Sequence, residues 1–343
     1  EARVQPTPPM PKDEQLSQLS WARDEWKAAQ KVMDTAIHRQ LDNSQVVVCT
    51  CSGAASPILQ SLQFRVVLID EATQATEPST LVPIMKGAEC CVLSGDPKQL
   101  PPTVISQKAV AAGLTETLFA RLEATTDMPV MLLNTQYRMH PAINKFPSVK
   151  FYNGRVKSGV PSSARLPPTG VPWPKQECPV ALLKCFGEEA TSGFQEGGVS
   201  SGSSFSNVKE AQLAVKLAQS LLEPGDIDSL AILTPYNGQV RLLKQLVTRN
   251  IPKDMAPLIR ISSVDGFQGQ EADAVVFSTV RSNEKGSIGF VADERRMNVA
   301  LTRARRGLVV VGNPRTLMSK PQWKAWLAFM QKVGSVLSPA DLK

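Results

Sequence analysis

The sequence predicts an α/β protein built from two units, each with a parallel sheet. The chain of 343 residues is long enough for two domains of ordinary size. Short apolar runs without alternating polar residues occur in both halves, a pattern typical of strands that are covered on both faces. In the second half these runs alternate with segments of helical period, which indicates strands joined by crossover helices.

The first half begins with a proline-rich stretch that we expect to be a linker, followed by an amphipathic helix over residues 15–41. Four predicted strands follow, each a short run rich in Val, Leu, Ile or Cys. They cover residues 45–51, 65–70, 90–94 and 129–133.

The second half opens on a region rich in Pro, Gly and Ser, residues 160–207, where we expect an irregular surface insertion with one strand candidate at 180–186. Helices are predicted over residues 207–222, 236–249 and 293–303, and strands over residues 230–233, 258–262, 274–280 and 308–311. The resulting division is a linker and helix (1–42), a first unit (43–145), a second unit (146–320) and a C-terminal helix and tail (321–343).

Composition limits the classes of protein. The chain is 42% hydrophobic and 20% charged, as soluble globular proteins are, and has no run of about 18 apolar residues that would span a bilayer. The net charge of +7 suits a phosphate-rich partner but also occurs in proteins without one. The six cysteines and two histidines lack the spacing of a zinc site. We therefore expect buried free thiols in a reducing compartment, the nucleus or the cytoplasm.

Two acidic residues follow one of the predicted strands. Asp70 and Glu71 come directly after Val66–Ile69, at the carboxyl end, where open α/β sheets bind their ligands. In ATP-hydrolysing folds a carboxylate at this place holds Mg²⁺, and a neighbouring one orients and deprotonates the attacking water. Asp70 would take the first role and Glu71 the second. Alternatively, the two residues only start a helix, where short acidic side chains are favoured.

Two further segments place polar side chains after predicted strands. The turn GDPKQLPP, residues 95–102, would aim the Gln99 amide at the region above Asp70, where it could sense a γ-phosphate; an ordinary turn is the alternative. In NTQYRMHP, residues 134–141, Arg138 suits phosphate oxygens and Tyr137 suits an adenine ring. A structural salt bridge explains the arginine equally well.

The order of these segments carries a resemblance to a known family. DEAT at 70–73, GDPKQLPPT and QYRMHP are followed by LTPYNGQ at 233–239, SSVDGFQGQE at 262–271 and RRMNVALTRARRG at 295–307. This series resembles the consecutive signature motifs of superfamily-one helicases. The segments RMHPAINKFPSVKFYNGRVKSG and ADERRMNVALTRAR resemble the 5′-to-3′ RNA and DNA helicases of the nonsense-mediated-decay and senataxin type.

The resemblance implies two RecA-like P-loop NTPase lobes with parallel sheets, and a motor that uses ATP and Mg²⁺. By motif position, Arg303 would be the arginine finger that reaches the γ-phosphate, with Arg138 as its companion. Glu271 would accept a bond from the ribose, Gly269 would let the backbone approach the phosphates, and Tyr137 would stack on the adenine.

The family binds single-stranded RNA or DNA mainly through backbone phosphates and sugars, contacts that carry little sequence information. Hydroxyls, amides and prolines suit such contacts, but each is equally suited to a helix cap or a turn. The matching positions are Thr50, Ser52, Pro101, Pro102, Thr234, Pro235, Tyr236, Asn237, Ser263, Val264, Asp265, Asn298 and Thr302.

One motif of the family is absent from the sequence. Motors of this kind hold the ATP phosphates with a GxxxxGK[ST] loop, and none occurs among the 343 residues. We therefore expect a piece of a longer helicase whose first lobe is incomplete, with one sheet edge and part of an apolar face exposed. The alternative is a protein that binds nucleic acid, or serves as a scaffold, without hydrolysing ATP.

Overall fold

The computed structural model describes residues 11–196 and 199–342. Within these ranges the chain forms two compact units. The first consists of the described residues up to Gly95 together with Pro102–Ala124, and the second consists of Asp96–Pro101 together with the residues from Thr125 onward. The short segment Asp96–Pro101 therefore belongs to the second unit, although both of its flanks belong to the first.

Helices and strands alternate along the described chain. The helices are α1 (Lys12–Asp42), α2 (Glu77–Ile84), α3 (Gln107–Ala111), α4 (Leu118–Thr125), α5 (Pro141–Tyr152), α6 (Val208–Leu222), α7 (Asn237–Asn250), α8 (Glu294–Leu301), α9 (Pro314–Leu317) and α10 (Pro321–Val333). The strands are β1 (Val66–Ile69), β2 (Cys90–Leu93), β3 (Thr135–Gln136), β4 (Lys157–Ser158), β5 (Val180–Lys184), β6 (Ala190–Glu196), β7 (Val199–Ser206), β8 (Leu230–Thr234), β9 (Ile259–Ser263), β10 (Ala272–Ser278), β11 (Ala304–Gly312) and β12 (Val336–Leu337).

The first unit contains a parallel sheet of β1 and β2. Side chains alternate between the two faces of a strand, so β1 shows what covers each face. Val67 and Ile69 are 8% and 4% exposed and belong to a small apolar core, whereas Val66 and Leu68 are 68% and 66% exposed. The exposed apolar face that the sequence led us to expect is present on this strand.

Two of the predicted strands are wrong. Residues 45–51 and 129–133 form no strand, and apolar side chains in both runs lie in solvent, with Val48 91% and Met131 86% exposed. A strand needs a neighbour to satisfy its backbone hydrogen bonds, and neither run has one among the residues that the structure describes. An apolar run therefore predicts a strand correctly only where the fold supplies that neighbour.

The second unit is built on a parallel sheet whose described strands have the order β12-β5-β11-β10-β8-β9. β8 and β10 lie inside the sheet, and every residue of both is buried, as expected of apolar runs covered on both faces. The strands and helices predicted for this half agree with the observed bounds to within a few residues. The α/β class with a parallel sheet is therefore confirmed.

Helices cover both faces of this sheet. On one face α6 and α7 contribute Leu217 and Leu243 to a core that includes Ile232 of β8. On the other face, where α5, α8 and α10 pack, Trp323 stacks on Phe277 of β10 with ring centroids 6.2 Å apart. Burying one such side chain contributes about 1.5–3 kcal/mol, so these two clusters supply most of the stability of the second unit.

The region 160–207 is more regular than its composition suggests. It contains β5, which lies inside the six-stranded sheet between β11 and β12, and an antiparallel hairpin of β6 and β7. The strand candidate at 180–186 is confirmed by β5. Glycine is depleted in strands, so a region rich in Gly and Ser does not predict this hairpin. The hairpin forms because each strand supplies the hydrogen-bonding partners of the other.

A buried polar network joins α6 to the end of β10. Glu210 has no exposed surface, and its Oε2 accepts bonds from the Ser278 hydroxyl at 2.8 Å and from the Val280 N–H at 2.7 Å. Asn207, the N-cap of α6, donates its side-chain amide to the Val280 carbonyl at 3.0 Å. Val280 has a left-handed backbone with φ of +70°, so α6 holds both polar groups of a strained residue.

The cysteines differ in exposure. Cys185 is buried, but Cys49, Cys90 and Cys91 are exposed, so the prediction of buried thiols is wrong for these three. Cys90 and Cys91 belong to β2, in the small sheet with an open face.

Over 11–196 and 199–342 there is no group of three or more His, Cys, Asp or Glu side chains that could hold a metal ion. The helices in those ranges are too short or too polar to cross a membrane.

Candidate functional site

Asp70 and Ser94 meet at the carboxyl end of the β1–β2 sheet. The parallel register pairs Ile69 with Leu93, which brings the next residue of each strand side by side. Asp70 Oδ1 accepts the Ser94 hydroxyl at 3.0 Å and the Glu71 N–H at 3.0 Å. Since both bonds go to one oxygen, the second oxygen of this exposed carboxylate has the acceptor capacity that a Mg²⁺ ion uses.

Glu71 has a left-handed backbone, with φ of 52° and ψ of 37°. Non-glycine residues adopt this conformation rarely and at a cost in free energy, and they concentrate at functional sites. The 3₁₀-helix Ala72–Gln74 follows, and the Glu71 side chain makes no capping hydrogen bond to it. The alternative in which the acidic pair only starts a helix therefore gains no support from Glu71.

Gly95 packs closely against the DEAT turn within the first unit. A Cβ atom at this position would lie 3.0 Å from the backbone nitrogen and from Oγ1 of Thr73, closer than side chains normally approach. Thr73 is itself buried. A glycine at the start of GDPKQ is thus needed for its contact with the DEAT turn.

In the second unit, Asp96 holds the turn that carries Gln99. Its Oδ1 accepts the Lys98 N–H at 2.9 Å, and its Oδ2 accepts Gln99 Nε2 at 2.8 Å. Oδ2 also accepts the hydroxyl of Tyr152 at 2.6 Å. The Gln99 amide is therefore fixed in orientation, with its nitrogen toward Asp96.

Arg303 precedes β11 and is 2% exposed. Its Nη2 donates to Gln99 Oε1 at 3.1 Å, and its Nε donates to the Val299 carbonyl at 3.1 Å. The structure thus joins two residues that are 204 positions apart in the chain and that the motifs assign to the same phosphate. To bind a phosphate, the guanidinium would exchange the neutral Gln99 acceptor for a charged one, which forms the stronger bond.

Arg138 and Glu271 form an ion pair, with 2.6 Å between Nε and Oε2. Arg138 also donates to the Thr302 carbonyl at 3.2 Å. Glu271 and Thr302 lie close to the amino ends of β10 and β11, two strands paired at Ala272 and Ala304. The two side chains are 30% and 42% exposed, and such pairs contribute only about 0–1 kcal/mol. Exchanging this pair for a ligand is therefore inexpensive.

Tyr137 has an exposed ring on a fixed backbone. The ring is 65% exposed, and Arg165 donates to the Tyr137 and Arg138 carbonyls at 3.1 and 2.9 Å. A Cβ atom on Gly159 would collide with the ring, so a glycine is required behind it. An aromatic ring held in this way is suited to stacking on a base.

Gly269 has a left-handed backbone with φ of +75°, and a Cβ atom built there would have no atom within 4 Å. The glycine is therefore required here by the backbone conformation rather than by close packing. The predicted approach to phosphates remains compatible with the open space around it.

The predicted nucleic-acid contacts differ in exposure. The exposed ones are Thr50, Ser52, Asn237 and Asp265, and those of intermediate exposure are Pro101, Pro235 and Ser263. The buried ones are Pro102, Thr234, Tyr236, Val264, Asn298 and Thr302.

Several of the buried members have structural partners instead. Tyr236 donates to the Ile288 carbonyl at 3.1 Å, Thr302 donates to the Asn298 carbonyl at 2.7 Å, and Asn298 Nδ2 donates to the Tyr152 hydroxyl at 2.7 Å. These bonds hold Tyr236, Asn298 and Thr302 inside the unit in this conformation, whereas the buried Thr234 hydroxyl has no hydrogen-bond partner among the described residues. For the buried and the exposed positions alike, the contact with nucleic acid stays a prediction.

Tyr152 and Arg165 contact residues of the candidate site, and the sequence motifs identify neither. Burial, together with the neighbouring Asp96 carboxylate, raises the pKa of Tyr152, so its hydroxyl remains a hydrogen-bond donor at neutral pH. Tyr152 lies 56 residues from Asp96 and 146 from Asn298. Partners so far apart in the chain cannot be predicted from local spacing. The one sequence signal at Tyr152 is an aromatic residue followed by Asn-Gly at the end of a helix.

Comparison with known proteins places the chain in a family. The AAA_12 family model, described as an AAA domain, matches residues 114–315, which is more than half of the chain. The chain belongs to this family. A second model, AAA_11, also described as an AAA domain, matches residues 10–107.

Named relatives of this AAA_12 chain agree with the motif series. It is 41% identical over 321 residues to "Regulator of nonsense transcripts 1 homolog" of Arabidopsis thaliana, covering 92% of this chain and 25% of the relative. It is 40% identical over 301 residues to "ATP-dependent helicase NAM7" of Saccharomyces cerevisiae, covering 87% of this chain and 30% of the relative. The expected resemblance to superfamily-one helicases of the nonsense-mediated-decay type is confirmed. The chain spans about a quarter to a third of the length of these relatives.

Among solved structures, "The structure of PRRSV helicase" matches 81% of this chain and 42% of its own, with a TM-score of 0.39 and 15% identity. The roles of single residues in this AAA_12 chain stay predictions.

Proposed function

We propose that the chain is the motor region of an ATP-dependent helicase that moves along single-stranded RNA or DNA, acting within a longer protein. The observation that carries the proposal is the convergence in the second unit of Gln99 on Arg303 and of Arg138 on Glu271. Relatives named ATP-dependent helicases support it, including those of Saccharomyces cerevisiae and Schizosaccharomyces pombe.

Asp70 is the proposed Mg²⁺ ligand, because its exposed carboxylate has a hard oxygen donor at the end of a strand. Bound Mg²⁺ would neutralise charge on the phosphates. Glu71, held in its left-handed conformation, would orient the attacking water and accept its proton.

The second unit supplies the cationic groups. Arg303 would stabilise the charge that develops on the γ-phosphate, and Gln99 would sense that phosphate and its water. Arg138 would assist Arg303, Glu271 would bind the ribose, and the exposed ring of Tyr137 would stack on the adenine.

Thr50, Ser52 and Asn237 are proposed to contact the sugar-phosphate backbone of the strand, because they are exposed and polar. The net charge of +7 favours such a partner.

The six thiols are free, which supports a reducing compartment, the nucleus or the cytoplasm, as the location. Imaging of the tagged chain would test this.

Phosphate release tests the function directly. The chain is joined to an upstream segment that bears a GxxxxGK[ST] loop, and ATP hydrolysis is measured with and without single-stranded RNA and DNA. We expect stimulation by nucleic acid, and a loss of about 100-fold or more in Glu71→Gln, since a general base contributes about that much. Glu123→Gln, an exposed glutamate of the same unit, is the control and should match the parent.

An unstimulated parent, or a Glu71→Gln variant as active as the control, would falsify the proposal.

The second candidate, a module that binds nucleic acid without hydrolysis, is favoured by the absence of the phosphate loop from the 343 residues. Filter binding at several salt concentrations distinguishes it: ATP-independent affinity that falls steeply with salt, combined with no hydrolysis by the joined protein, would support this second candidate.

A further inference from the structure

The Tyr152 hydroxyl lies where three separate segments of the second unit meet. Tyr152 ends α5, Asp96 belongs to the GDPKQ turn, and Asn298 lies in α8. The hydroxyl donates to Asp96 Oδ2 at 2.6 Å and accepts from Asn298 Nδ2 at 2.7 Å. One oxygen atom thereby connects the turn to two helices.

From this oxygen a continuous chain of hydrogen bonds leads to Arg303. Asp96 Oδ2, which accepts the Tyr152 hydroxyl, also accepts Gln99 Nε2 at 2.8 Å. An amide whose nitrogen is engaged in this way presents its oxygen on the other side, and Gln99 Oε1 accepts Arg303 Nη2 at 3.1 Å. The Tyr152 hydroxyl therefore acts on the orientation of the Gln99 amide through the Asp96 carboxylate that both of them contact.

The same centre also fixes the backbone of the turn. Asn298 Nδ2 donates to the Lys98 carbonyl at 2.9 Å as well as to the Tyr152 hydroxyl. Asn298 is fully buried, so it has no water to substitute for these partners. The two bonds of Asn298 Nδ2 thus tie the turn backbone and the Tyr152 hydroxyl to α8.

We propose that Tyr152 is a positioning residue that aims the Gln99 amide and, through it, the Arg303 guanidinium. The inference rests on the proposed function and deepens it, because it names the group that keeps these two residues in place. Without the hydroxyl, Asp96 loses a donor, and the carboxylate that orients Gln99 toward Arg303 is held less firmly. The aromatic ring itself, which packs at the end of α5, is not required for this role.

Tyr152→Phe removes the hydroxyl and keeps the ring. In the protein that carries the phosphate loop, we expect the turnover number of nucleic-acid-stimulated ATP hydrolysis to fall on the order of 10-fold, since small misplacements of catalytic groups have effects of this size. The KM for ATP should change by less than about twofold, because the proposed role of Tyr152 is exerted through Asp96 and Gln99 and not through binding of the nucleotide. Ser148→Ala is the matched control: it removes a buried hydroxyl from the same helix, bonded to the Val156 carbonyl at 2.6 Å, and should leave turnover unchanged.

The Gln99→Ala background distinguishes positioning from a structural role. If Tyr152 acts through Gln99, Tyr152→Phe has no further effect on turnover once Gln99 is removed, because residues of one network are not additive. A Tyr152→Phe protein with parental turnover, or a loss that adds in full to that of Gln99→Ala, overturns the inference and leaves the proposed function standing. A parent protein that releases no phosphate overturns the proposed function, and the inference falls with it.

Discussion

Glu210 is the most deeply buried acidic side chain of the network at the start of α6, and its pKa is unusual. Burial raises the pKa of this carboxyl from 4.5 to about 8. The hydrogen bonds oppose this shift in part: Oε2 accepts from the Ser278 hydroxyl and the Val280 N–H, and Oε1 accepts from the Thr279 hydroxyl at 3.4 Å, contacts that lower the pKa. Burial outweighs these bonds, so the folded chain holds this proton to a higher pH than the unfolded chain does.

This carboxyl makes the stability of the second unit depend on pH. Between about 4.5 and about 8 the folded chain keeps a proton on Glu210 that the unfolded chain releases, so the stabilisation is complete below 4.5 and is lost as the pH rises through 8. We expect the free energy of unfolding, from denaturant titrations at pH 5, 6.5 and 8, to fall over this window. In Glu210→Gln that fall should disappear, whereas Glu188→Gln, an exposed neighbour, should retain it. An identical pH dependence in all three proteins would contradict the assignment.

The candidate site shows what a sequence can reveal about single residues. Asp70, Gln99, Arg138 and Arg303 were identifiable because each lies in a short motif next to an apolar run. Tyr152 was not, because its importance lies in partners brought to it by folding. The burial of Thr234, Tyr236 and Asn298 was also hidden, since a hydroxyl or an amide is equally suited to solvent and to an internal bond.

At the scale of elements, the two faces of β1 are expected to contribute unequally to the free energy of unfolding. Ile69 and Leu68 are neighbours of equal size, 4% and 66% exposed. We expect Ile69→Ala to lower the free energy of unfolding of the first unit by about 2 kcal/mol or more, as buried aliphatic truncations do. Leu68→Ala should change it by less than about 0.5 kcal/mol. Equal effects in denaturant titrations would mean that the exposed face is covered in solution.

Strands were predictable from the sequence where the fold supplies neighbouring strands and covering helices. β8 and β10 have neighbours on both sides and helices on both faces, so their apolar runs behave as predicted. Residues 45–51 also form an apolar run but have no neighbouring strand within the described ranges, and they form no strand. The hairpin of β6 and β7 is the opposite case, in which pairing creates strands that composition does not predict.

At the scale of the whole molecule, the two units differ in the size of their cores. The buried cluster of the first unit consists of Val67, Ile69 and Ala72, whereas the second has large clusters on both faces of its sheet. Stability grows with buried apolar area, so the first unit is expected to unfold at a lower denaturant concentration. The α/β class itself was predictable from the sequence because alternation of apolar runs and helical segments extends over the whole second half.

Tryptophan emission can separate the two transitions. Trp323 and Trp326 of the second unit are fully buried, whereas Trp21 and Trp26 of α1 are already 67% and 70% exposed. In guanidinium chloride we expect an early loss of far-ultraviolet circular dichroism, followed at higher concentration by the shift in tryptophan emission. Coincident transitions by the two probes would indicate cooperative unfolding of the whole chain.

The left-handed backbone of Val280 bears on the order in which the second unit folds. A β-branched residue in this conformation costs about 1–3 kcal/mol, and the bonds that offset this cost come from Asn207 and Glu210, about 70 residues earlier in the chain. The turn after β10 has a local bond, from the Arg281 N–H to the Thr279 carbonyl at 2.8 Å, and depends otherwise on these distant partners. We therefore expect the turn to close after α6 has docked on the sheet, as a late event in folding rather than as part of the nucleus.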